Sequence, residues 1–465
     1  MAKRSRSYRF EMPYQSEAPV LTDPDAGIDR LQLRGKHDRR VVTLTLFDTT
    51  DERLNWAGVM LAHQVVADQG HWLLQAPDWQ PWLPVDRLIE LDDGDELPAD
   101  LAELMRPFRR RAMIGPVASV THERAAYRLL DPGGIELGQL LDDRVTVRRG
   151  GVAVARHREV TFETTDEMSA TQRTLVVDRL HLAGGTRVGS FPDPIERLAS
   201  LTHPAQVPAE PPRPAELTAE EYLEWVFTSR LFRIWRADLQ IRTGEVADTT
   251  LLSAELAELV GIVRGLEALL EPSWAQELLW HISQVDGLDD AYYEVLDMLA
   301  QAARAPRIGA LIDQPHTARE ILRGQATQAA AELVAAVDTL TAQSQDEDWS
   351  VALERAEGLA RQLEAGAPVL GKLADRSRRI TRLMGTLGAA VGPTHELDEQ
   401  AVAQLSSAEA FAAGRQYERS IAQTARPRAK LLKSWPRTRE ILFTAWPRLG
   451  ESVEQLALPP GSTDG

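Results

Sequence analysis

Arginine residues at helical intervals are the first feature of this sequence that could do chemistry. Arg376, Arg379 and Arg382 follow one another at three-residue steps, with Arg378 beside them. On a helix such residues share a face, and guanidinium groups on one face can bind a polyanion. A second basic cluster near the C-terminus consists of Arg426, Arg428, Lys430, Lys433, Arg437 and Arg439. Both clusters predict either phosphate-binding surfaces or solvated helix faces paired with nearby acids.

Residue types that the chain lacks exclude several kinds of site. No cysteine occurs among the 465 residues, which excludes disulfides, thiolate zinc sites and a cysteine nucleophile. The 10 histidines include no pair at metal-ligand spacing, so a metal would need carboxylates or isolated imidazoles. The formal net charge of -17 opposes nonspecific binding to nucleic acid or acidic membranes. Only a local basic patch could bind such ligands in spite of the negative net charge.

The length and apolar content of the chain predict two globular domains. A chain of 465 residues is too long for one ordinary core, and 43% hydrophobic residues supply ample surface to bury. No run of about 18 uncharged apolar residues occurs, and no apolar stretch follows the basic residues at the start. We therefore expect a cytoplasmic protein that is neither secreted nor membrane-spanning.

Up to about residue 200, the pattern of hydrophobicity is typical of strands. Apolar residues alternate with polar ones over short runs, which is the period of half-buried strands. These runs are Val41–Phe47, Val117–Thr121, Leu140–Val147 and Val160–Glu163. Turn residues such as Asp131 to Gly134 separate the runs, as expected for hairpins. Only Glu52–Trp56 and Pro98–Met105 look helical, so the pattern predicts an antiparallel sheet domain over residues 1–203.

A proline-rich segment and a long helical region follow. Five prolines occur between Pro204 and Pro214, a composition that keeps a chain extended and predicts a linker over residues 204–216. Thr218 and Glu221 form a capping-box pattern, so the first long helix should start there. Residues 217–458 alternate helical segments with short breaks, which indicates an all-helical bundle. The breaks are Pro272, Asp286 to Gly287, Pro315 and Gly388 to Gly392.

The helical region contains a faint internal repeat. Leu269–Trp274 and Ala367–Lys372 each form a turn between two predicted long helices. Such a repeat predicts two related halves that arose by duplication. Residues 459–465 are expected to be a disordered tail.

A set of motifs in the predicted sheet carries a family resemblance. Leu46 to Leu54 with Ala57 to Val59 looks like a tyrosine-aspartate-threonine strand end that leads into a short helix and a glycine. Further motifs continue in the same order and at the same spacing, namely Trp72 to Pro77, Ala126 to Asp131, Asp142 to Val145 and Arg158 to Val160. Over residues 8–200 the chain therefore resembles the CYTH family of triphosphate tunnel metalloenzymes.

The CYTH resemblance implies an antiparallel tunnel of eight strands, with Lys and Arg inside for triphosphate and Glu for a divalent metal. Several expected charges are missing, because Ser7 stands for a glutamate, Gln75 for a lysine and Thr161 for another glutamate. What remains is Arg9 as an anion ligand and, for magnesium or manganese, Asp143, Glu159 and Glu163. The alternative is that these residues are solvated or salt-bridged parts of an ordinary barrel.

The segments Trp349–Lys372 and Ala410–Arg415 carry a second resemblance, to the CHAD family of helical bundles. Active members of that family bind polyphosphate on a groove of basic residues. Where the family has a histidine followed by basic residues, this chain has Ser350, Leu353, Glu354, Glu357, Gly358 and Ala360. The resemblance therefore implies the fold of a CHAD domain with most of the polyphosphate groove erased.

Together these features predict an α+β multidomain protein, in which an N-terminal antiparallel β-barrel precedes an all-α helical bundle. The favoured hypothesis is a noncatalytic relative of CYTH and CHAD proteins that binds triphosphate, polyphosphate or a protein partner, and neither nucleic acid nor membranes. One alternative is a triphosphatase or polyphosphate-processing enzyme that uses Mg or Mn. A second alternative is a structural scaffold with no phosphate ligand.

Overall fold

The computed structural model divides the chain into two compact units. One unit consists of residues 1–206 and 239–246, and the other of residues 207–238 and 247–465. The structure describes residues 6–34, 39–66, 69–83, 87–90, 97–192, 196–197, 205, 210–211, 213–309, 316–391, 406–446, 449–450 and 452–453. The predicted tail, and much of the predicted linker, lie outside the described residues. The linker and domain boundaries given above stay predictions.

Among the described residues of the first unit, ten antiparallel strands form one sheet. They are β1 Ser7–Met12, β2 Arg30–Leu33, β3 Arg39–Asp48, β4 Met60–Val66, β5 Gln69–Gln75, β6 Arg87–Glu90, β7 Gly115–Leu130, β8 Glu136–Arg149, β9 Val152–Thr164 and β10 Thr186–Val188. The order across the sheet is β10-β1-β9-β8-β7-β3-β4-β5-β6, and β2 also pairs with β7. The predicted antiparallel fold is confirmed, with ten strands where the resemblance implies eight.

On one face of the sheet, which we call the inner face, side chains from different strands pack against one another. Successive side chains of a strand point to opposite faces, so a buried cluster identifies the face that it occupies. The cluster consists of Leu44, Leu46, Ala62, Leu73, Ala118, Val120, Val145 and Val147. Every member lies on a strand, from β3, β4, β5, β7 or β8. Strand side chains can cover one another in this way only if the sheet curls around them.

The opposite, outer face is covered in part by helix α4, Ala170–Leu182. Val176 and Leu180 of α4 belong to a buried cluster that also contains Phe10 and Phe162. A capping box between Ser169 and Gln172 begins the helix. The sequence did not predict α4, because three consecutive apolar residues at 175–177 interrupt the helical spacing of its apolar positions.

Three shorter helices precede α4, namely α1 Arg53–Trp56, α2 Ala99–Leu104 and α3 Arg106–Arg109. The first two lie where the sequence looked helical. Asp48, at the end of β3, positions α1 by accepting hydrogen bonds from the backbone N–H groups of Leu54 and Asn55, both at 2.9 Å. The strand end followed by a short helix, on which part of the CYTH resemblance rests, is therefore held by a buried carboxylate.

The second unit is built from helices. They are α5 Ala219–Arg242, α6 Thr250–Gly265, α7 Pro272–Ser283, α8 Asp290–Ala302, α9 Ala318–Asp338, α10 Asp346–Ala365, α11 Ala367–Leu370, α12 Ser377–Val391 and α13 Ser407–Ala445. In the described part of the chain, no helix is both long and apolar enough to cross a membrane. Of the predicted breaks, Pro272 is the first residue of α7, Asp286 to Gly287 lies between α7 and α8, and Pro315 lies outside the described residues. Gly388 is not a break, since the buried Leu387 and Ala390 beside it continue the apolar face of α12.

Two helix starts repeat the same local structure. Thr218 caps α5 with Glu221, and Thr317 caps α9 with Glu320, each through a capping box. The two caps pair with each other as an antiparallel bridge. The two turns of the faint sequence repeat follow the second helix of each half, α6 and α10. This arrangement is what a duplication of the bundle would produce.

Helices α6 and α10 approach closely at Gly265. A Cβ atom at this position would lie 2.5 Å from the carbonyl oxygen of Arg361 and 2.7 Å from the Cβ of Ala365. We predict that Gly265→Ala lowers the free energy of unfolding by about 1–3 kcal/mol, because the helices must move apart. Chemical denaturation followed by helical circular dichroism measures this change.

Gly261 provides the matched control for Gly265, because it lies on the same helix and has open space around its Cβ position. Gly261→Ala should raise stability by up to about 1 kcal/mol through helix propensity alone. Equal effects of the two substitutions would contradict a close approach of α6 and α10.

Candidate functional site

Strand register brings the four sheet residues singled out by the sequence to the inner face. Glu159 on β9 lies directly opposite Asp143 on β8, and Asp143 is two residues from Val145 of the buried inner cluster. Arg9 on β1 lies opposite Thr161, which is two residues from Glu159 along β9. Glu163 is four residues from Glu159 and lies opposite Ser7. Directly opposite residues of antiparallel strands share a face. Arg9, Asp143, Glu159 and Glu163 therefore share the inner face.

Asp143 is engaged by an arginine on the neighbouring strand. Arg124 of β7 lies opposite Asp143, and its Nε and Nη2 donate hydrogen bonds to the two carboxylate oxygens at 2.7 and 2.8 Å. This two-point contact is the strong form of an arginine–carboxylate pair. The hydrogen bond to Asp143 raises the pKa of Arg124 in spite of partial burial. Both oxygens of Asp143 are thus occupied.

Glu159 is engaged by Arg197, which follows the last strand in the chain. The Nη2 of Arg197 donates a hydrogen bond to Oε1 of Glu159, and the two side chains are 8% and 5% exposed. Burial lowers the pKa of Arg197, and the nearby Glu11 opposes this shift. No periodic pattern surrounds Arg197 in the sequence, so its role could not be predicted.

Two histidines complete this group of charges. His122 on β7 and His157 on β9 both lie opposite Val145 on β8. Burial lowers the pKa of both imidazoles, and Arg197 lowers them further. The Nε2 atom of His122 is buried and has no hydrogen-bond partner among the described residues. We call the whole group the inner charge cluster, and its members are Glu11, His122, Arg124, Asp143, His157, Glu159 and Arg197.

Several cations of the inner face are held more loosely than those of the inner charge cluster. Arg9 is exposed and donates a hydrogen bond to the carbonyl oxygen of Gly189 at 3.0 Å. Arg34 donates to Oε1 of Gln139 at 2.9 Å, and Gln139 lies opposite Glu163. Arg40 is exposed and lies opposite Arg124. These guanidinium groups could turn toward an anion with little loss of existing contacts.

The inner face becomes apolar beyond the charge cluster. Leu44 lies opposite Val120, and Val145 and Val147 follow on β8, all at most 3% exposed. The charged part of the inner face is therefore bounded on one side by a packed apolar cluster.

Metal ligation has weak support on this face. No three His, Asp or Glu side chains in the described part of the chain are placed to hold a metal ion together. Of the three predicted ligands, Asp143 and Glu159 are bound by arginines, and Glu163 is exposed. Arg124 holds both carboxylate oxygens of Asp143, and Arg197 holds one oxygen of Glu159, so a metal would have to compete with these arginines for the first two carboxylates.

The predicted helical candidates lie on α12 and just before it. Arg379 and Arg382 are on the exposed side of α12, away from the buried Ile380 and Leu383. Neither forms an ion pair with a described acidic residue. Arg376 ends a short 3₁₀ segment, Gly371–Arg376, and the structure does not describe its side chain. The three residues stay a predicted anion-binding stripe.

Basic residues of the first helical half are neutralised by acids. Arg230 of α5 contacts Glu258 at 2.7 Å, and Arg233 contacts Glu255 and Glu258 at 2.8 and 2.9 Å. The two acids come from α6, which is the counterpart in the first half of α10, the helix on which the CHAD resemblance expects basic residues. This part of the bundle therefore presents a balanced network and not a cationic groove.

Comparisons with known proteins find relatives without a stated activity. No protein-family model matches the sequence. Two proteins of Mycobacterium tuberculosis, Uncharacterized protein MT2285 of strain CDC 1551 and Uncharacterized protein Rv2226 of strain H37Rv, are each 25% identical to it over 278 residues. The match covers 55% of this chain and 53% of each relative, so the chain spans about half the length of these relatives.

Among solved structures, two cyclase-like proteins resemble part of the chain. A putative adenylate cyclase of Bacillus halodurans has a TM-score of 0.21 and 16% identity, and covers 36% of this chain and 94% of its own. A putative adenylyl cyclase of Hippeastrum, reported to have a dominant triphosphatase activity, has a TM-score of 0.21 and 15% identity over 42% of this chain and 96% of its own. At these TM-scores the likeness does not establish a fold, and the architecture given above rests on the strand register of this chain.

We predict that Glu159→Gln lowers the free energy of unfolding of the first unit by about 2–4 kcal/mol. The substitution replaces the charged partner of the buried Arg197 with a neutral amide, and breaking a buried ion pair is strongly destabilising. Hydrogen exchange of the β8 and β9 amides measures the local stability.

Glu163→Gln is the matched control, because Glu163 is exposed on the same strand and the same face. It should change stability by less than about 0.5 kcal/mol. Faster exchange of similar size in both variants would mean that the pair with Arg197 contributes little.

The two cluster histidines make the first unit less stable in mild acid. Their folded-state pKa values lie below the ordinary value of 6.5, so the unfolded chain binds more protons below that pH. Stability should therefore be constant above about pH 7 and fall as the pH drops from about 6.5 toward the lower folded pKa values. Hydrogen exchange of β7 and β9 at several pH values measures the loss.

His122→Gln combined with His157→Gln should remove about half or more of this pH-dependent loss, since neither replacement titrates. His316→Gln, at an exposed histidine outside the sheet, should leave the pH profile unchanged. An unchanged profile in the double variant would assign the acid sensitivity to other groups.

Proposed function

We propose that the first unit is a CYTH-like domain that binds a phosphorylated anion on its inner face and does not hydrolyse it. The observation that carries this proposal is the occupation of Asp143 and Glu159 by Arg124 and Arg197. Metal-dependent hydrolysis needs carboxylate oxygens free to hold Mg²⁺ or Mn²⁺. Two of the carboxylates expected to do so are already neutralised, which favours binding over catalysis.

The charge balance of the inner face supports an anionic ligand. Its arginines outnumber its carboxylates by one, when Arg9, Arg34, Arg40, Arg124, Arg128 and Arg197 are set against Glu11, Glu136, Asp143, Glu159 and Glu163, with Arg128 paired to Glu136. The pKa values of the two cluster histidines are lowered by burial, which favours their uncharged forms, so the histidines are left out of this balance. A triphosphate or a similar small phosphorylated anion would complement the excess charge.

The short reach of this positive region favours a small ligand over a long one. The packed apolar cluster from Leu44 to Val147 bounds the charged part of the inner face. Cations beyond that point would be needed to hold a long phosphate chain. We therefore propose a triphosphate-sized ligand for the sheet unit, bound in the cytoplasm.

For the second unit we propose a CHAD-like bundle that has lost polyphosphate binding at the family's groove. The neutralisation of Arg230 and Arg233 by Glu255 and Glu258 supports the loss. The repeated caps at Thr218 and Thr317 support a bundle of two related halves.

Isothermal titration with tripolyphosphate, with and without Mg²⁺, tests the proposed anion site. We predict binding that does not require magnesium and no release of phosphate. Arg9→Gln combined with Arg34→Gln should weaken binding by about tenfold, because two loosely held cations are lost. Arg156→Gln is the matched control, since Arg156 is an exposed arginine of β9 that does not face the ligand site.

Two outcomes would contradict this proposal. Magnesium-dependent phosphate release that Glu159→Gln abolishes would make the protein a triphosphatase. The absence of detectable heat would leave the inner face as a structural barrel without a phosphate ligand.

A further inference from the structure

Helix α13 carries a line of basic side chains that the anion site does not use. The line consists of Arg415, Arg419, Arg426, Lys430, Lys433 and Arg437, all of which are exposed. With 3.6 residues per turn, the six positions fall within a sector of about 60° around the helix. They extend over about 33 Å, since a helix rises 1.5 Å per residue. We call this set the α13 stripe.

The stripe faces away from the bundle. Leu431, Trp435 and Leu442 of the same helix are buried, and they lie about 100–200° around the helix from the stripe. Packing therefore fixes the orientation of α13 and leaves the stripe toward solvent.

Other basic residues of α13 are committed to structural contacts. Arg428 donates hydrogen bonds to Asp346 and to the carbonyl oxygen of Ala390 and lies over the ring of Trp349. Arg439 contacts Asp338 at 2.9 Å. Both lie on the side of the helix opposite the stripe. The C-terminal basic cluster predicted from the sequence thus divides into packing residues and exposed ones.

The stripe residues have no acidic partners in the described part of the chain. Arg415 has only a ring contact, with its guanidinium carbon 6.0 Å from the centre of the Phe411 ring. Phe411 is itself 69% exposed at the N-terminal end of the stripe. In a chain of net charge -17, the segment from Arg415 to Arg437 carries a single carboxylate, Glu418, which lies about 60° around the helix from the edge of the stripe.

We propose that the α13 stripe binds an acidic helical segment of a partner protein. A helix that carries one carboxylate per turn on one face would place about six of them along 33 Å. The number and the spacing of these carboxylates match those of the stripe. Exposed Phe411 would meet an apolar residue at one end of the partner segment.

Charge density argues against a nucleic acid at the same place. Double-stranded DNA carries about one charge per 1.7 Å, or about 19 over the length of the stripe, and one strand carries about half as many. Most of these charges would remain unpaired beside an acidic protein, because screening acts only beyond about 8 Å at physiological salt. A sparse row of carboxylates avoids this repulsion.

The experiment measures binding of a designed peptide by fluorescence anisotropy at about 0.15 M salt. The peptide is an alanine-rich helix of about 24 residues with glutamates on one face. A second peptide of the same composition has its glutamates distributed around the helix. We expect the full-length protein to bind the first peptide at least fivefold more tightly than the second.

Two double variants, which change the net charge by the same amount, test whether the peptide binds at the α13 stripe. Lys430→Glu combined with Lys433→Glu should weaken binding of the one-faced peptide by at least tenfold. Arg264→Glu combined with Arg323→Glu, at exposed positions on α6 and α9, should change it by less than twofold. Equal losses in both double variants would overturn the proposal, because binding would then depend on overall charge alone.

Competing ligands provide the remaining outcomes. Tighter binding of polyphosphate, a thymidine oligonucleotide or anionic lipid vesicles, lost in the Lys430 and Lys433 variant, would overturn the proposal and assign the stripe to that ligand. No binding of either peptide would also overturn it. None of these results bears on tripolyphosphate binding, since the stripe shares no residue with the inner face.

Discussion

The need to neutralise buried charge governs the first unit. A carboxylate that loses water must gain a counterion, or it takes up a proton. Glu159 and Asp143 meet this need with Arg197 and Arg124, and so they hold their own strands and the segment after the sheet in one arrangement. In this structure the two carboxylates therefore fasten the inner face by pairing with arginines.

Pairs of arginine and carboxylate side chains occur in both units but have different consequences in each. In the sheet, arginine and carboxylate pairs join neighbouring segments of the inner face, while Arg9 and Arg34 are held only by neutral groups. In the bundle, acids of α6 cancel the cations of α5, whereas α13 keeps its exposed cations uncancelled. Acidic proteins therefore need not lack cationic surfaces, because local geometry decides which charges are paired.

Much of the fold could be predicted from local patterns in the sequence. Alternation predicted the strands that contain Val41–Phe47 and Leu140–Val147, and the Thr218 capping box predicted the start of α5. Helix α4 was missed because tertiary packing, and not local spacing, makes it helical. The partners of the candidate site were missed for a related reason. Arg197 meets Glu159 across 38 residues of chain, and no local pattern records a contact of that range.

The repeated caps have an evolutionary consequence. Thr218 and Thr317 begin equivalent helices and pair with each other, so the starts of both halves are joined where the two copies meet. In a single ancestral half the same edge would have been free, and a second identical molecule could have filled it. Fusion of two copies into one chain would then have fixed a homodimer as an intramolecular contact, after which each half was free to lose or retain basic residues on its own.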